Sequence, residues 1–540
     1  MNDPFQLAFA DWVLILVAAV GLFSILLYPV RSSENWKHRG ITTWGPVPLG
    51  VFLRTSRGLN LLDWLGRPKT FWRIVASAGI PLVILCMAGF LMMVLLMAYL
   101  MIQEPPQPSS YNAPRNILLI PGLNEYIPFV WGWIALFVTM VVHEFAHGIL
   151  SRVEGVRVKS MGIITVFIAP IAAFVEPDEV ELFGTQEKPA IVTKGARIRI
   201  LSAGVISNFI VAALAMALFF GPVIGSISPI DRVIVVDVKQ DTPGISAGFE
   251  SGMALMIANG KAVDRLDDLF NNLSGGSSQI RVLNEGKEVN LQLAGVPARG
   301  IMVASIFEDS PAAQAGLFAR AVITKIDGKE IGDLDGFRNQ MNTTHPGQTI
   351  AITTGDGGIY QVNLTKKTGE TGFIGIGISG NAVYSGGVAF QEAPAKQFLQ
   401  ALRAIPGSGI QGFTYLLSLP FSGIPGFTQK GFPGFSGWLT TIFEPTGWAK
   451  PLGEKFFWIA NLLLWIGWIN LYAGLFNCLP AVPLDGGHIF RDLVQLVFER
   501  LVNPSKAEKL TKTAVSFLAW LVLASLVITV MAPFTHWFSI

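Results

Sequence analysis

Apolar residues along this chain gather in long unbroken runs rather than in the short alternations of a soluble domain. A bilayer core takes about 20 such residues per helix. About six runs reach that length: Trp12–Val30, Ile74–Ile102, Pro128–Leu150, Ile198–Gly225, Phe456–Leu479 and Ala514–Met531. The first is long and has neither a basic n-region nor an A-x-A site, so it reads as a retained transmembrane helix rather than a signal peptide. Met161–Val175 is apolar too, but β-branched and short for a span; it fits a strand pair or a re-entrant hairpin beside the third helix.

Between the fourth and fifth runs the pattern changes to short Ile-, Val- and Thr-rich strands punctuated by turns. This insert repeats itself. TPGISAGFESGMALMIANGK from Thr242 meets SPAAQAGLFARAVITKIDGK from Ser310, 68 residues on and without a gap. Each copy reads as a short helix, a strand, a tight NGK or DGK turn and a second helix, so two similar small α+β domains lie in tandem. Residues 386–455 are rich in Gly, Pro and Phe and too broken to span. They are expected to lie along the outer interface, with Phe and Trp as anchors.

Composition agrees with the runs. Of 540 residues, 51% are hydrophobic and 14% charged, against roughly 25% charged in soluble domains. Net charge is +2, so no basic surface calls for nucleic acid. The two cysteines, Cys86 and Cys478, form no CxxC, which excludes a cysteine zinc site. Lys and Arg concentrate after the first, third and fifth runs. Six spans place all three segments on one side, the cytoplasm, and put the insert outside. The chain is expected to be an integral, multi-pass protein of the cell membrane with its partner surface in the lipid bilayer.

The chemistry lies in His143-Glu144-Phe145-Ala146-His147. Residues i and i+4 share a helix face, so two imidazoles at this spacing can reach one metal ion while Glu144 stands beside it as a base for water. Three ionisable groups in an apolar helix are costly to bury as mere core residues. A tetrahedral site needs a third ligand, and Asp485 in NCLPAVPLDGGHIF is the only acid between Glu454 and Asp492. It could instead cap the helix that follows. His488 suits a partner of Asp485 or a helix-start hydrogen bond; His38, His345 and His536 fit solvated histidines.

HExxH in one membrane helix, with Asn477-x-x-Pro480-x-x-Pro483-Leu-Asp485-Gly-Gly487-His488 in a later segment, resembles the site-2 protease family of intramembrane zinc metalloproteases. The resemblance implies one Zn2+ per chain held by His143, His147 and Asp485, with Glu144 as catalytic acid/base. It also makes Gly204-Val-Ile-Ser-Asn208 a G-x-x-x-N element whose Asn208 faces the ion and serves the oxyanion; small-residue helix packing is the competing account of that element. The second repeat copy resembles a protease-type PDZ domain, the first a weaker copy, which implies a groove for an extended peptide or a steric cap. The expected layout is then 1–127 N-terminal helices and basic loop, 128–225 the first half of the metalloprotease core, 228–295 and 296–385 PDZ-like domains, 386–455 interfacial linker, and 456–540 the second half of that core with the last transmembrane helix. The expected function is cleavage of transmembrane protein substrates in or near their helices, after a first trimming cut. A catalytically silent membrane adaptor that binds peptides through the PDZ pair is the alternative, and the intact Glu144 argues against it.

Overall fold

The computed structural model describes residues 25, 27, 28 and 34–537, except 39, 45–49, 57, 108–112, 117–119, 125, 167–168, 186, 285, 367–370 and 423–433. The expected first span, Trp12–Val30, apart from Ile25, Leu27 and Tyr28, and the centre of the Gly/Phe-rich stretch therefore lie outside the described residues. The chain forms two compact units, one made of residues to Gly221 and from Asn461 onward, the other of Pro222–Ala460 apart from a few linker positions.

Among the described residues, five helices are long and apolar enough to cross a membrane. They are α1 (Lys69–Gln103), α2 (Phe129–Glu154), α3 (Lys194–Leu218, running on to Val223), α4 (Lys455–Asn477) and, after the shorter α5 (Asp485–Leu501), α6 (Pro504–Met531). Each covers one of the apolar runs. α1, α3 and α6 begin several residues before the run, on charged first turns, because a helix continues past the hydrocarbon slab into the polar interface. α1 turns Leu85 and Met92 outward, 69% and 68% exposed. Such a stripe would be an uncovered patch in water and is the ordinary surface of a helix in lipid. About half of the apolar windows of α3 and α4 are buried, 50% and 56%, against 22% for α1, so α3 is an inner helix. At one end of the bundle Glu154 of α2 accepts from Arg199 of α3 (2.8 Å) and from Arg73 of α1 (3.3 Å), tying three helices together.

The ambiguous apolar stretch is a strand pair. β1 (Ile41–Trp44), β2 (Gly50–Thr55), β3 (Val158–Val166) and β4 (Ala169–Pro177) form one antiparallel sheet in that order, which leaves β4 as an outer strand. Gly155, at φ 88°, ends α2 in the left-handed conformation and turns the chain into β3.

The second unit is built on β5 (Val233–Val238), β6 (Ala254–Ala258), β7 (Ser277–Asn284), β8 (Lys287–Ala294), β9 (Ala298–Ile306), β10 (Val322–Ile326), β11 (Thr349–Thr354), β12 (Ile359–Asn363), β13 (Ile376–Ser385) and β14 (Val388–Glu392). The main path of its sheet runs β8-β7-β6-β5-β14-β13-β9-β10-β11-β12. Elements recur at the sequence offset: helix Pro243–Ser246 answers Pro311–Gln314, and β6 answers β10. The turns match as well, with positive φ at Asn259-Gly260 and at Asp327-Gly328.

The core of the first copy, however, extends well past 228–295. Val383, Val388 and Phe390 pack with Val235, Phe249, Leu255 and Val282. Strand β14, which closes that copy against β5, comes only after the whole second copy, whose own core runs from Ile301 to Ile374. The second copy is thus inserted into the first. In the linker, helix Ala395–Ala404 spends its apolar face on protein: Phe398, Leu399 and Leu402 are buried, and Phe398 meets Phe443 at 5.6 Å.

Candidate metal centre

α2 presents His143 and His147 one turn apart. Their rings stand nearly perpendicular, with centroids 4.7 Å apart, and their Nε2 atoms approach to 3.1 Å. Asp485 is the first residue of α5, and its Oδ2 lies 3.1 Å from His143 Nε2 and 3.3 Å from His147 Nε2. Leu484 holds the N-cap position and no side chain caps this helix, so the capping alternative for Asp485 is not realised. Gly486 and Gly487 let the first turn of α5 lie on the preceding loop: a Cβ on Gly486 would stand 2.3 Å from the Cys478 carbonyl oxygen.

The three ligand atoms form a nearly equilateral triangle. A tetrahedral ion with bonds of about 2.0–2.2 Å sets its ligands about 3.3–3.6 Å apart, and the triangle's edges of 3.1, 3.1 and 3.3 Å come within a few tenths of the lower end of that range. Asp485 Oδ2 is also buried without a hydrogen-bond partner, an expensive arrangement for a carboxylate that has no cation to face. The donor set, two imidazole nitrogens and one carboxylate, suits zinc with a fourth position open. Among the described residues this is the only cluster of three or more His, Cys, Asp or Glu side chains close enough to share an ion.

α3 supports the triangle from behind. His147 Nδ1 donates to the carbonyl of Ile200 at 2.8 Å, which fixes the tautomer that leaves the Nε2 lone pair facing the triangle. Gly204 lies directly against the histidines. A Cβ there would fall 2.5 Å from His147 Nε2 and 2.7 Å from His143 Nε2, so the glycine keeps clear the space that the ligand nitrogens occupy.

Asn208 stands against His143. Its amide lies 3.2 Å from His143 Nδ1, the nitrogen on the far side of the ring from the triangle. Its Oδ1 is buried without a partner. A half-turn of the amide, which exchanges atoms of nearly equal shape, sets that oxygen to accept the Nδ1 proton. Helical geometry places Asn208 one turn beyond Gly204 on the same face of α3, hence behind His143.

Glu144 points to the sheet. Its Oε2 accepts the backbone N–H of Val175 on β4 at 3.0 Å, and among the described residues the other oxygen has no hydrogen bond. His488 stays out of the cluster: its ring packs on Phe183 at 5.3 Å and its buried Nδ1 has no partner. The Ile200 carbonyl and the Val175 N–H are backbone groups, which no residue type announces.

Comparisons with known proteins show the family of the chain. An uncharacterized protein of Methanocaldococcus jannaschii is 30% identical over 254 residues, 47% of this chain and 62% of the relative. A Clostridium perfringens protein provisionally named a zinc metalloprotease is 28% identical over 211 residues, 38% of this chain and 56% of the relative. The chain thus spans less than two thirds of the length of these two relatives. The regulator of sigma-E protease RseP of Salmonella typhimurium is 24% identical over 432 residues, 70% of this chain and 91% of the relative. The model of peptidase family M50 matches residues 131–522, which takes in the helix of the two histidines, the supporting helix and the Asp485 turn. With well over half of its length matched, the chain is a member of peptidase family M50, the site-2 protease family, and an integral membrane protein.

Proposed function

We propose that the protein is an intramembrane zinc metalloendopeptidase that hydrolyses peptide bonds in or near the transmembrane helices of other membrane proteins. The observation that carries this is the triangle of His143 Nε2, His147 Nε2 and Asp485 Oδ2, with edges of 3.1–3.3 Å, beside a free carboxylate oxygen of Glu144.

His143, His147 and Asp485 would hold the ion, which would supply Lewis-acid polarisation of the scissile carbonyl and lower the pKa of a water to about 7. Glu144 takes the proton of the attacking water on its free oxygen and passes it to the departing amine nitrogen, while the Val175 N–H holds the other oxygen still. Asn208 and the Ile200 carbonyl orient the two histidines. A helical substrate hides its carbonyls in its own hydrogen bonds and must unwind before attack. The outer strand β4 offers the released segment a backbone to pair with by strand addition, next to the base.

The repeat copies are PDZ-like domains. The crevice between them has a volume of about 980 Å3 and is lined by Asp267, Arg299, Arg320, Asp333, Asn381 and Lys396 among others. That is the size of a ligand pocket. Charges of both signs suit an extended peptide there; a bulky outer domain on an untrimmed substrate is kept out. The Lys- and Arg-rich segments support an active site near the cytoplasmic side with the PDZ pair outside.

The test is zinc content together with cleavage of a tagged transmembrane substrate. Glu144→Gln keeps the ion and loses about 100- to 10,000-fold in rate, the usual worth of a general base; His147→Ala loses the ion as well. Full cleavage by Glu144→Gln removes the protease proposal.

A further inference from the structure

We propose that the buried Arg197–Asp492 ion pair is a register pin that sets Asp485 against the two histidines. The proposal rests on the metal-site reading above and adds two positioning residues to it.

The pair joins α3 to α5. Arg197 Nε donates to Asp492 Oδ2 at 2.5 Å and Nη2 to Oδ1 at 2.6 Å, a two-pronged fork. Its Nη1 is engaged too, donating to the carbonyl of Leu182 at 3.2 Å. The side chains are 8% and 0% exposed. Arg491 lies 3.8 Å from the same carboxylate, and Phe183 sits beneath both guanidinium groups. Among the described residues this is the most deeply buried fork between two helices in the helical unit, and it takes no part in the chemistry proposed above.

Its placement along both helices is what gives it a role. Seven residues of an α-helix make nearly two whole turns, so residues i and i+7 share a face about 10 Å apart. On α5 that relation holds between Asp485 and Asp492. On α3 it holds between Arg197 and Gly204, with Ile200 between them on the same face. Each helix therefore carries one stripe with the metal centre near one end and the pin two turns away. One other charged pair joins the two helices, Lys194 Nζ to Glu499 Oε2 at 2.5 Å, a single bond further from the metal centre with its side chains 22% and 33% exposed; nearer the centre the contacts are apolar, such as Ile198, Leu201 and Val205 with Cys478 and Ile489. Apolar contact is non-directional and survives a small slide of one helix along another. A bidentate fork does not, because both bonds must keep their geometry. A slide of one residue's rise, about 1.5 Å, would carry Asp485 Oδ2 out of coordinating range of the histidine nitrogens. A buried ion pair adds little stability over a well-packed apolar pair, and fixing register is its best-attested use.

The experiment uses the full chain in detergent and the double variant Arg197→Met/Asp492→Leu, which removes both charges and keeps the apolar bulk. Zinc affinity is read by competition with a chelator, coordination by the visible bands of the Co2+-loaded protein, and folding by the thermal midpoint of the metal-free chain. The expected result is zinc binding about 10- to 100-fold weaker, the range seen when groups that orient metal ligands are removed. Altered Co2+ bands and a thermal midpoint at or above the parent's accompany it. Parent-like affinity with unchanged bands overturns the pin. Should the double variant fail to fold, Arg197→Lys keeps the charge and loses the fork; weaker zinc binding there supports the pin and parent-like binding overturns it. A parent chain that takes up no zinc overturns the metal site itself, and so separates that failure from failure of the pin alone.

Discussion

Gly204→Ala adds one methyl group to α3 and tests the metal centre more sharply than loss of a ligand. The new Cβ would stand 2.5 Å from His147 Nε2, 2.6 Å from His143 Cε1 and 2.7 Å from His143 Nε2. Ordinary carbon contacts begin near about 3.5 Å, so the rings or the helix must withdraw by roughly 0.8–1.0 Å. Metal–ligand distances tolerate only about 0.2 Å. Both nitrogens are displaced at once, so zinc affinity should fall by at least about 100-fold, on the order of 3 kcal/mol at 1.4 kcal/mol per decade. Local helix propensity moves the other way, since Ala is favoured over Gly by about 1 kcal/mol. The variant therefore loses metal without losing α3. Gly195→Ala on the same helix is the control, because a Cβ there meets nothing within 4 Å, and it should bind zinc like the parent. Bound zinc per chain and chelator competition give the readout. Zinc affinity within about threefold of the parent in Gly204→Ala would refute the assignment of that space to the ligands, since it lies far below the hundredfold loss expected.

Three further outcomes are expected. Val175→Pro removes the N–H that holds Glu144, at an outer strand where proline is tolerated; kcat should fall about 10- to 100-fold, the worth of a hydrogen bond to a charged group, with zinc content unchanged, and an unchanged kcat counts against that contact. Deleting residues 228–385 strands β14 without its partner β5 and should give aggregated protein on size exclusion, whereas deletion through Glu392 should give monodisperse, zinc-loaded protein that accepts untrimmed substrates; equal behaviour of the two deletions contradicts the nested arrangement. Burial raises the Asp356 carboxyl, but hydrogen bonds from Lys239, Thr354 and the Gly358 N–H outweigh it and hold the pKa below the usual value. Its contribution to the β11–β12 hairpin is then present above the usual carboxylate value of about 3.9 and lost as pH falls through the lower folded value. Asp356→Asn should weaken hydrogen-exchange protection of residues 349–363 at neutral pH and match the parent in strong acid; a difference that persists in acid counts against the ionic contact.

What is legible in the sequence is local. HEFAH announces itself because i and i+4 share a helix face, and Asp485 because no other acid stands near it. The 68-residue offset locates turns and helices to the residue, since those elements form from neighbours in sequence. What stays hidden depends on partners far along the chain. The β-branched stretch 161–175 fits a strand or a re-entrant segment until β2 is found beside it. The closing strand Val388–Glu392 carries no mark of belonging to a core that begins at Val233. The G-x-x-x-N element says that an amide is needed, not that it meets Nδ1 of His143.

The nesting of one repeat copy inside the other sets an order of events during synthesis. The first copy leaves the ribosome with β5 lacking its β14 neighbour and with Phe249 and Leu255 short of the packing that Val388 and Phe390 provide. The later-made copy takes its buried core from Ile301 to Ile374, with Ile376 and Ile378 packed against it, and can fold before β14 completes the earlier one. Between those moments an open strand edge is available to other chains. Synthesis that stalls before residue 390 would therefore trap a half-built domain, whereas the finished insert holds both ends of its first copy together through β5 and β14.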